Sequence, residues 1–112
     1  MVIDFKNKLY TYKTDIFLPE GIEIINTPGH TLPHWSIVAK EDGKNIVFSG
    51  DAIRPEMLNE DYSPEGQDIP KLIDSAFKIC EIADEIVPGH GPNLDREEIE
   101  KIKNNLLKFK NK

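Results

Sequence analysis

The chain has 112 residues, 38% of them hydrophobic and 30% charged, which suits one compact domain with a modest core and leaves no room for two. No apolar run approaches the roughly 18 to 20 residues that span a bilayer, and Met1-Val2-Ile3-Asp4-Phe5-Lys6 lacks the basic-then-apolar order of a secretory leader, so a cytoplasmic chain with no membrane segment is expected. A formal net charge of -6 makes nucleic acid an unexpected partner, and the single cysteine, Cys80, excludes both an internal disulfide and a Cys-rich zinc cluster, leaving imidazole and carboxylate as the available metal donors.

Lys8-Leu9-Tyr10-Thr11-Tyr12 has strand-forming composition and is followed by a connection containing Pro19 and Gly21. Ile22-Glu23-Ile24-Ile25 is a β-branched run halted by Asn26-Thr27-Pro28-Gly29, so a strand ends there and His30 lies just beyond it. Trp35 to Ala39 and Asn45 to Ser49 flank Glu41-Asp42-Gly43-Lys44, and Asp-Gly between two apolar runs predicts a hairpin, with Asp51 just past its second strand. Arg54 to Gln67, with two prolines, a glycine and several acids, is the long irregular segment, of the kind that shapes a site or moves.

From Ile69 to Ala83 the apolar residues Leu72, Ile73, Ala76, Phe77, Ile79, Cys80 and Ala83 recur at helical spacing, with Pro70 in the first turn. Glu85-Ile86-Val87 then reads as a strand parallel to its predecessor after a helical crossover, stopped by Pro88-Gly89 and followed by His90. The tail is a helix capped by Asp95, with Glu97 and Glu98 in its first turn, Ile99, Ile102, Leu106 and Phe109 on one face, and lysines in its last turn.

Tracing this order up and down the sheet brings His30, Asp51 and His90 to one edge, beyond the C-terminal ends of strands, where α/β sheets build their sites. Each residue alone also has a plain reading, since a histidine after Pro-Gly or an aspartate after Ser-Gly serves ordinary turns. Their joint occurrence, with two of the three histidines in identical Pro-Gly-His tripeptides, favours a ligand set.

Thr27-Pro28-Gly29-His30-Thr31, Phe48-Ser49-Gly50-Asp51 and Val87-Pro88-Gly89-His90-Gly91 resemble, in order and spacing, the third, fourth and fifth signature motifs of the metallo-β-lactamase superfamily. The resemblance covers roughly Ile22 to Pro92 and implies an α/β fold, the C-terminal half of a four-layer αββα sandwich, with a mixed sheet and two main helices. It implies a zinc site, sometimes iron or manganese, at one sheet edge. There His30 would bind the first metal, Asp51 would bridge the pair and His90 would bind the second, and the bound metals would activate water and polarise a carbonyl or phosphoryl oxygen. Asp51 resembles the glyoxalase II and phosphodiesterase branches rather than lactamases with a cysteine in that position.

The family's His-x-His-x-Asp-His motif does not occur in the sequence, and by the resemblance each metal would receive one imidazole plus the shared Asp51, short of the three protein ligands usual for catalytic zinc. The resemblance therefore implies a partial domain, whether fragment, split-gene product or truncation. Such a domain would bind metal weakly and be inactive by itself, or would serve as a non-catalytic assembly module. A homodimer or a separate N-terminal-half chain would complete it, with an ester, thioester or phosphodiester as substrate. An apolar sheet face including Ile24, Ile37, Val47 and Phe48 would otherwise lie open. His34 is read as hydrogen-bonded beside the site or, less readily, as a ligand. Arg54 either meets an anionic substrate or is an ordinary solvated arginine. Trp35 and Phe48 are read as core, and Cys80 as a buried, inert thiol.

Overall fold

The structure, a computed structural model, describes residues 20–110. The strand expected at Lys8–Tyr12 lies outside these residues. Four strands, β1 (Ile22–Asn26), β2 (Trp35–Glu41), β3 (Lys44–Gly50) and β4 (Glu85–Pro88), form one sheet in the order β1-β2-β3-β4. The first two pairings are antiparallel and the β3–β4 pairing is parallel. Helix α1 (Ile69–Ile82) makes the crossover between β3 and β4, and α2 (Arg96–Lys110) follows β4. The mixed sheet with two helices is therefore as the sequence predicts.

Local chemistry accounts for each junction. The β2–β3 hairpin turns at Asp42 and Gly43, both with positive φ (54° and 78°), and two such residues give the turn whose twist matches paired strands. Helix α1 starts with Pro70 in its first turn, while the Asp68 carboxylate accepts the Lys71 N–H at 3.1 Å. The C-terminal end of α1 is tied back to the sheet: Asn45 Nδ2 donates to Ile82 O at 2.9 Å, and the Asn45 N–H donates to Asp84 Oδ2 at 2.8 Å. At the start of α2, Asp95 Oδ1 accepts the Glu98 N–H at 2.9 Å and Glu98 Oε1 accepts the Asp95 N–H at 3.0 Å, a reciprocal capping box.

Val38, Val47 and Ile86 point from the sheet into a core shared with Ala76, Ile79 and Cys80 of α1 and Ile99, Ile102 and Leu106 of α2. Each fully buried aliphatic side chain contributes about 1.5 to 3 kcal/mol of burial energy. Burial pushes the Cys80 thiol up to about 12, consistent with the inert role expected of it.

The sheet's other face departs from expectation. Phe48 is 45% exposed rather than core, and Trp35 is half-buried. Val47, expected on the open face, is fully buried under the helices. Neighbouring strand residues point to opposite faces, so Val47 and Phe48 cannot share one. The register instead aligns Ile24, Ile37, Phe48 and Val87 as one apolar row across all four strands, opposite the helices. Ile37 and Phe48 are its most exposed members.

Candidate functional site

The first Pro-Gly-His loop is held in shape by hydrogen bonds at both ends. The Thr27 N–H donates to His34 O at 2.9 Å, closing residues 27–34 into a loop, and Ser75 Oγ of α1 donates to Pro28 O at 2.7 Å. Gly29 lies against the first turn of α1 so closely that a Cβ there would stand 2.2 Å from Leu72 Cα, and its φ of +138° is one that side-chain-bearing residues rarely adopt. The Asp68 and Gln67 N–H groups donate to Gly29 O and His30 O. The end of the long loop is thereby fixed onto His30.

Asp51 follows the last residue of β3, where the β3–β4 register shifts between Phe48 and Gly50. Such an irregularity re-aims the residues after it. Ala52 and Ile53 are buried, anchoring the chain just before Arg54. A short 3-10 turn over Pro55–Leu58 then buries Met57, so the segment read from sequence as irregular has an ordered start. Asn105 of α2 donates to Met57 O at 2.8 Å, and Lys108 donates to Glu60 O at 2.6 Å. At β4 the Gly89 N–H donates to Gly50 O at 3.0 Å, setting His90 beside Asp51.

These anchors bring His90, Asp51, Arg54 and His30 into one chain of contacts. His90 Nδ1 lies 3.0 Å from Asp51 Oδ1, and since an ionised carboxylate only accepts, the imidazole donates. Arg54 Nη1 lies 3.8 Å from the same Oδ1 and 3.4 Å from His30 Nε2. A guanidinium only donates, so in this contact His30 Nε2 is on the accepting side, and His30 Nδ1 is buried without a hydrogen-bond partner. The other Arg54 nitrogen, Nη2, lies 3.3 Å from Glu56 Oε2. The Glu56 carboxyl is held below the ordinary range, first by its own backbone N–H and then by Arg54.

His34 joins the cluster from behind. Thr27 Oγ1, buried, lies 2.9 Å from His34 Nδ1 and 2.8 Å from Ser36 Oγ. Burial pushes the His34 pKa below its ordinary value and nearby His30 pushes the same way, against the opposing pull of Asp51 and a hydrogen bond to the Thr27 backbone. Beyond Arg54 and His30 opens a cleft of about 360 Å³ whose wall includes Tyr62, Glu56, Asp61 and Glu65. The ring of Tyr62 stands edge-on to Phe109 of α2, with centroids 6.2 Å apart. Sequence reasoning had no role for Thr27, Ser36, Glu56 or Tyr62. Thr27 stood inside a quoted motif, and Glu56 two residues after Arg54 was the available signal for their ion pair.

The donor types are those of a zinc or iron site, but the set does not hold a metal as it stands. Among the described residues no group of three or more His, Cys, Asp or Glu side chains could hold a metal ion. Of the two His30 ring nitrogens, Nδ1 is buried and unpartnered, while Nε2 already faces the Arg54 guanidinium. Among the described residues no helix is long and apolar enough to cross a membrane.

No protein-family model matches the chain. It is 35% identical over 74 residues to metallo-beta-lactamase domain-containing protein 1 of Xenopus laevis, covering 65% of this chain and 32% of that protein. It is 36% identical over 76 residues to a beta-lactamase-like protein 2 homolog of Caenorhabditis elegans, covering 67% of this chain and 23% of that protein. In structure it is similar to an archaeal metallo-beta-lactamase superfamily protein from Sulfolobus tokodaii, with a TM-score of 0.53 over 77% of this chain and 33% of that one. At 19% identity that likeness concerns the fold. The matched segments thus span about a third or less of each relative, and the sequence matches and the likeness in fold agree: the chain belongs to the metallo-β-lactamase superfamily.

Proposed function

We propose that this chain is one part of a metal-dependent hydrolase of the zinc type, inactive alone and completed by donors supplied from elsewhere. The supporting observation is that both Pro-Gly-His loops and Asp51 meet at one sheet edge, with His90 Nδ1 3.0 Å from Asp51 Oδ1. Two imidazoles and a carboxylate suit zinc, iron or manganese, but shared between two metals they leave each with one imidazole and the bridging Asp51, short of three ligands with an open position. A carboxylate at position 51 in place of a thiol supports an ester, thioester or phosphodiester substrate, in the manner of the glyoxalase II and phosphodiesterase branches.

The completing partner is a second copy of this chain or a chain carrying the His-x-His-x-Asp-His motif. The row of Ile24, Ile37, Phe48 and Val87 supports such a partner, because a contiguous apolar strip opposite the helices is stabilised by being covered. A second reading, an assembly module without catalysis, is favoured by the same row together with the shortage of ligands.

Metal analysis of the purified protein, joined to its association state, separates the two. The hydrolase reading expects stoichiometric zinc, iron or manganese in an associated species that hydrolyses a simple ester or phosphodiester, with activity lost in His90→Ala. An associated species that stays metal-free and inert under metal supplementation sinks the hydrolase reading and leaves the assembly one.

A further inference from the structure

We infer that Arg54 is the resident counter-cation of this site, its guanidinium filling the space between His30 and Asp51 that a metal has to enter, so that the single chain is held in a metal-excluding state. The inference rests on reading His30, Asp51 and His90 as the metal-facing residues. Its own support is the position of one side chain. Arg54 Nη1 stands 3.4 Å from His30 Nε2 and 3.8 Å from Asp51 Oδ1. The same charged group therefore stands against both the imidazole nitrogen and the carboxylate that a cation would approach.

Charge balance gives the reason for its presence. Asp51 is only partly exposed, and a carboxylate withdrawn from water needs a counter-charge. Glu56, Asp61 and Glu65 line the adjoining cleft together with His30, and Arg54 is the one lysine or arginine among the residues lining it. Without Arg54 the region is a surplus of negative charge around an open imidazole, which attracts a divalent cation. With it, a dication must displace a guanidinium and endure its repulsion.

Glu56 supplies the alternative seat. Arg54 Nη2 already lies 3.3 Å from Glu56 Oε2, through the nitrogen that does not face Asp51, and the cleft that both residues line gives the side chain room to turn outward. The guanidinium thus has two partners, Asp51 with His30 on one side and Glu56 on the other. Metal entry corresponds to releasing the first and keeping the second.

The test reads zinc directly, by competition with a chromogenic chelator on the full chain. Arg54→Gln should bind zinc about tenfold more tightly or better than the wild type, since a neutral side chain removes a cation at ion-pair distance from a partly exposed carboxylate. Arg54→Lys, which keeps the charge, should stay near the wild type. Adding His30→Ala to Arg54→Gln should abolish the gain, showing that the zinc sits at this cluster. Arg54→Met repeats the measurement should the glutamine variant melt early, as judged by circular dichroism.

Zinc affinity equal to or below wild type in a folded neutral variant, or a gain that survives His30→Ala, overturns the inference. Turnover does not enter the readout. Failure here alongside metal-dependent hydrolysis by the associated protein leaves the hydrolase reading intact and removes only the role given to Arg54.

Discussion

His90 Nδ1 donates to Asp51 Oδ1 across 3.0 Å, joining residues 39 apart in sequence at the ends of two parallel strands. The contact is a consequence of strand order, since the Gly89 N–H donates to Gly50 O and sets the two side chains side by side. His90 is 67% exposed and Asp51 34% in their side chains, so the pair is solvent-screened and is not what holds the strands together. His90→Ala should therefore cost no more than about 1 kcal/mol of unfolding free energy. Urea titration measures it, and a loss of several kcal/mol would show that the pair is part of the structural frame.

The pH dependence of stability should carry a contribution from His34. Burial is the main cause of its lowered pKa, with His30 adding to it, while Asp51 and the hydrogen bond to the Thr27 backbone act in the opposite direction. The unfolded chain, with an imidazole near the ordinary value of 6.5, takes up a proton that the folded chain resists. His34 therefore contributes stability that is fully present above the unfolded value and is lost as pH falls through it toward the lower folded value. Comparing wild type with His34→Gln isolates the term from other titrating groups: between roughly pH 7.5 and pH 5 the wild type should lose more stability than the variant. Equal losses would mean that the imidazole protonates as readily folded as unfolded.

Gly29→Ala should be among the most damaging single-methyl changes in the chain. The added Cβ would stand 2.2 Å from both Leu72 Cα and Leu72 N, backbone atoms of a helix that cannot move without shifting the core. Overpacking of this kind costs about 1 to 3 kcal/mol, and the φ of +138° adds strain beyond that. Gly43→Ala is the contrast, because nothing lies within 4 Å of a Cβ there and only the positive φ opposes it. Thermal unfolding of the two variants should rank them in that order, and a Gly29→Ala protein as stable as Gly43→Ala would show that α1 docks more loosely than described.

Much of this arrangement was legible in the sequence because the punctuation was strong. Asp42-Gly43 fixed the hairpin, Pro70 the start of α1, Asp95 with Glu98 the start of α2, and strand order then carried His30, Asp51 and His90 to one edge. The phase of β3 was not legible. Ile46-Val47-Phe48 is apolar on both faces, so no alternation distinguishes the core residue Val47 from the exposed Phe48, and only pairing with β2 and β4 settles it. The bridging position of Arg54 was equally hidden, since it depends on buried Ile53 and Met57 on either side of it and on the 3-10 turn, which proline-rich composition does not announce.

The apolar row on the sheet gives the last prediction, concerning association. Ile24, Ile37, Phe48 and Val87 are cross-strand neighbours from one edge of the sheet to the other, and Ile37 and Phe48 keep 37% and 45% of their surface exposed. Burying apolar area stabilises by about 25 cal/mol per Å², so covering this row with a second sheet favours association, while charges placed within it oppose it. Sedimentation velocity across a concentration series should show the wild type self-associating or binding an apolar dye. Phe48→Glu combined with Ile37→Lys should remain monomeric and dye-free, with its fold kept because neither side chain belongs to the helix-covered core. Val47→Glu is the opposite control: Val47 is fully buried, so this change should unfold the chain rather than dissociate it. A wild type that stays monomeric at high concentration without binding dye would mean that the row is already covered within the chain, and the case for a completing partner would fall with it.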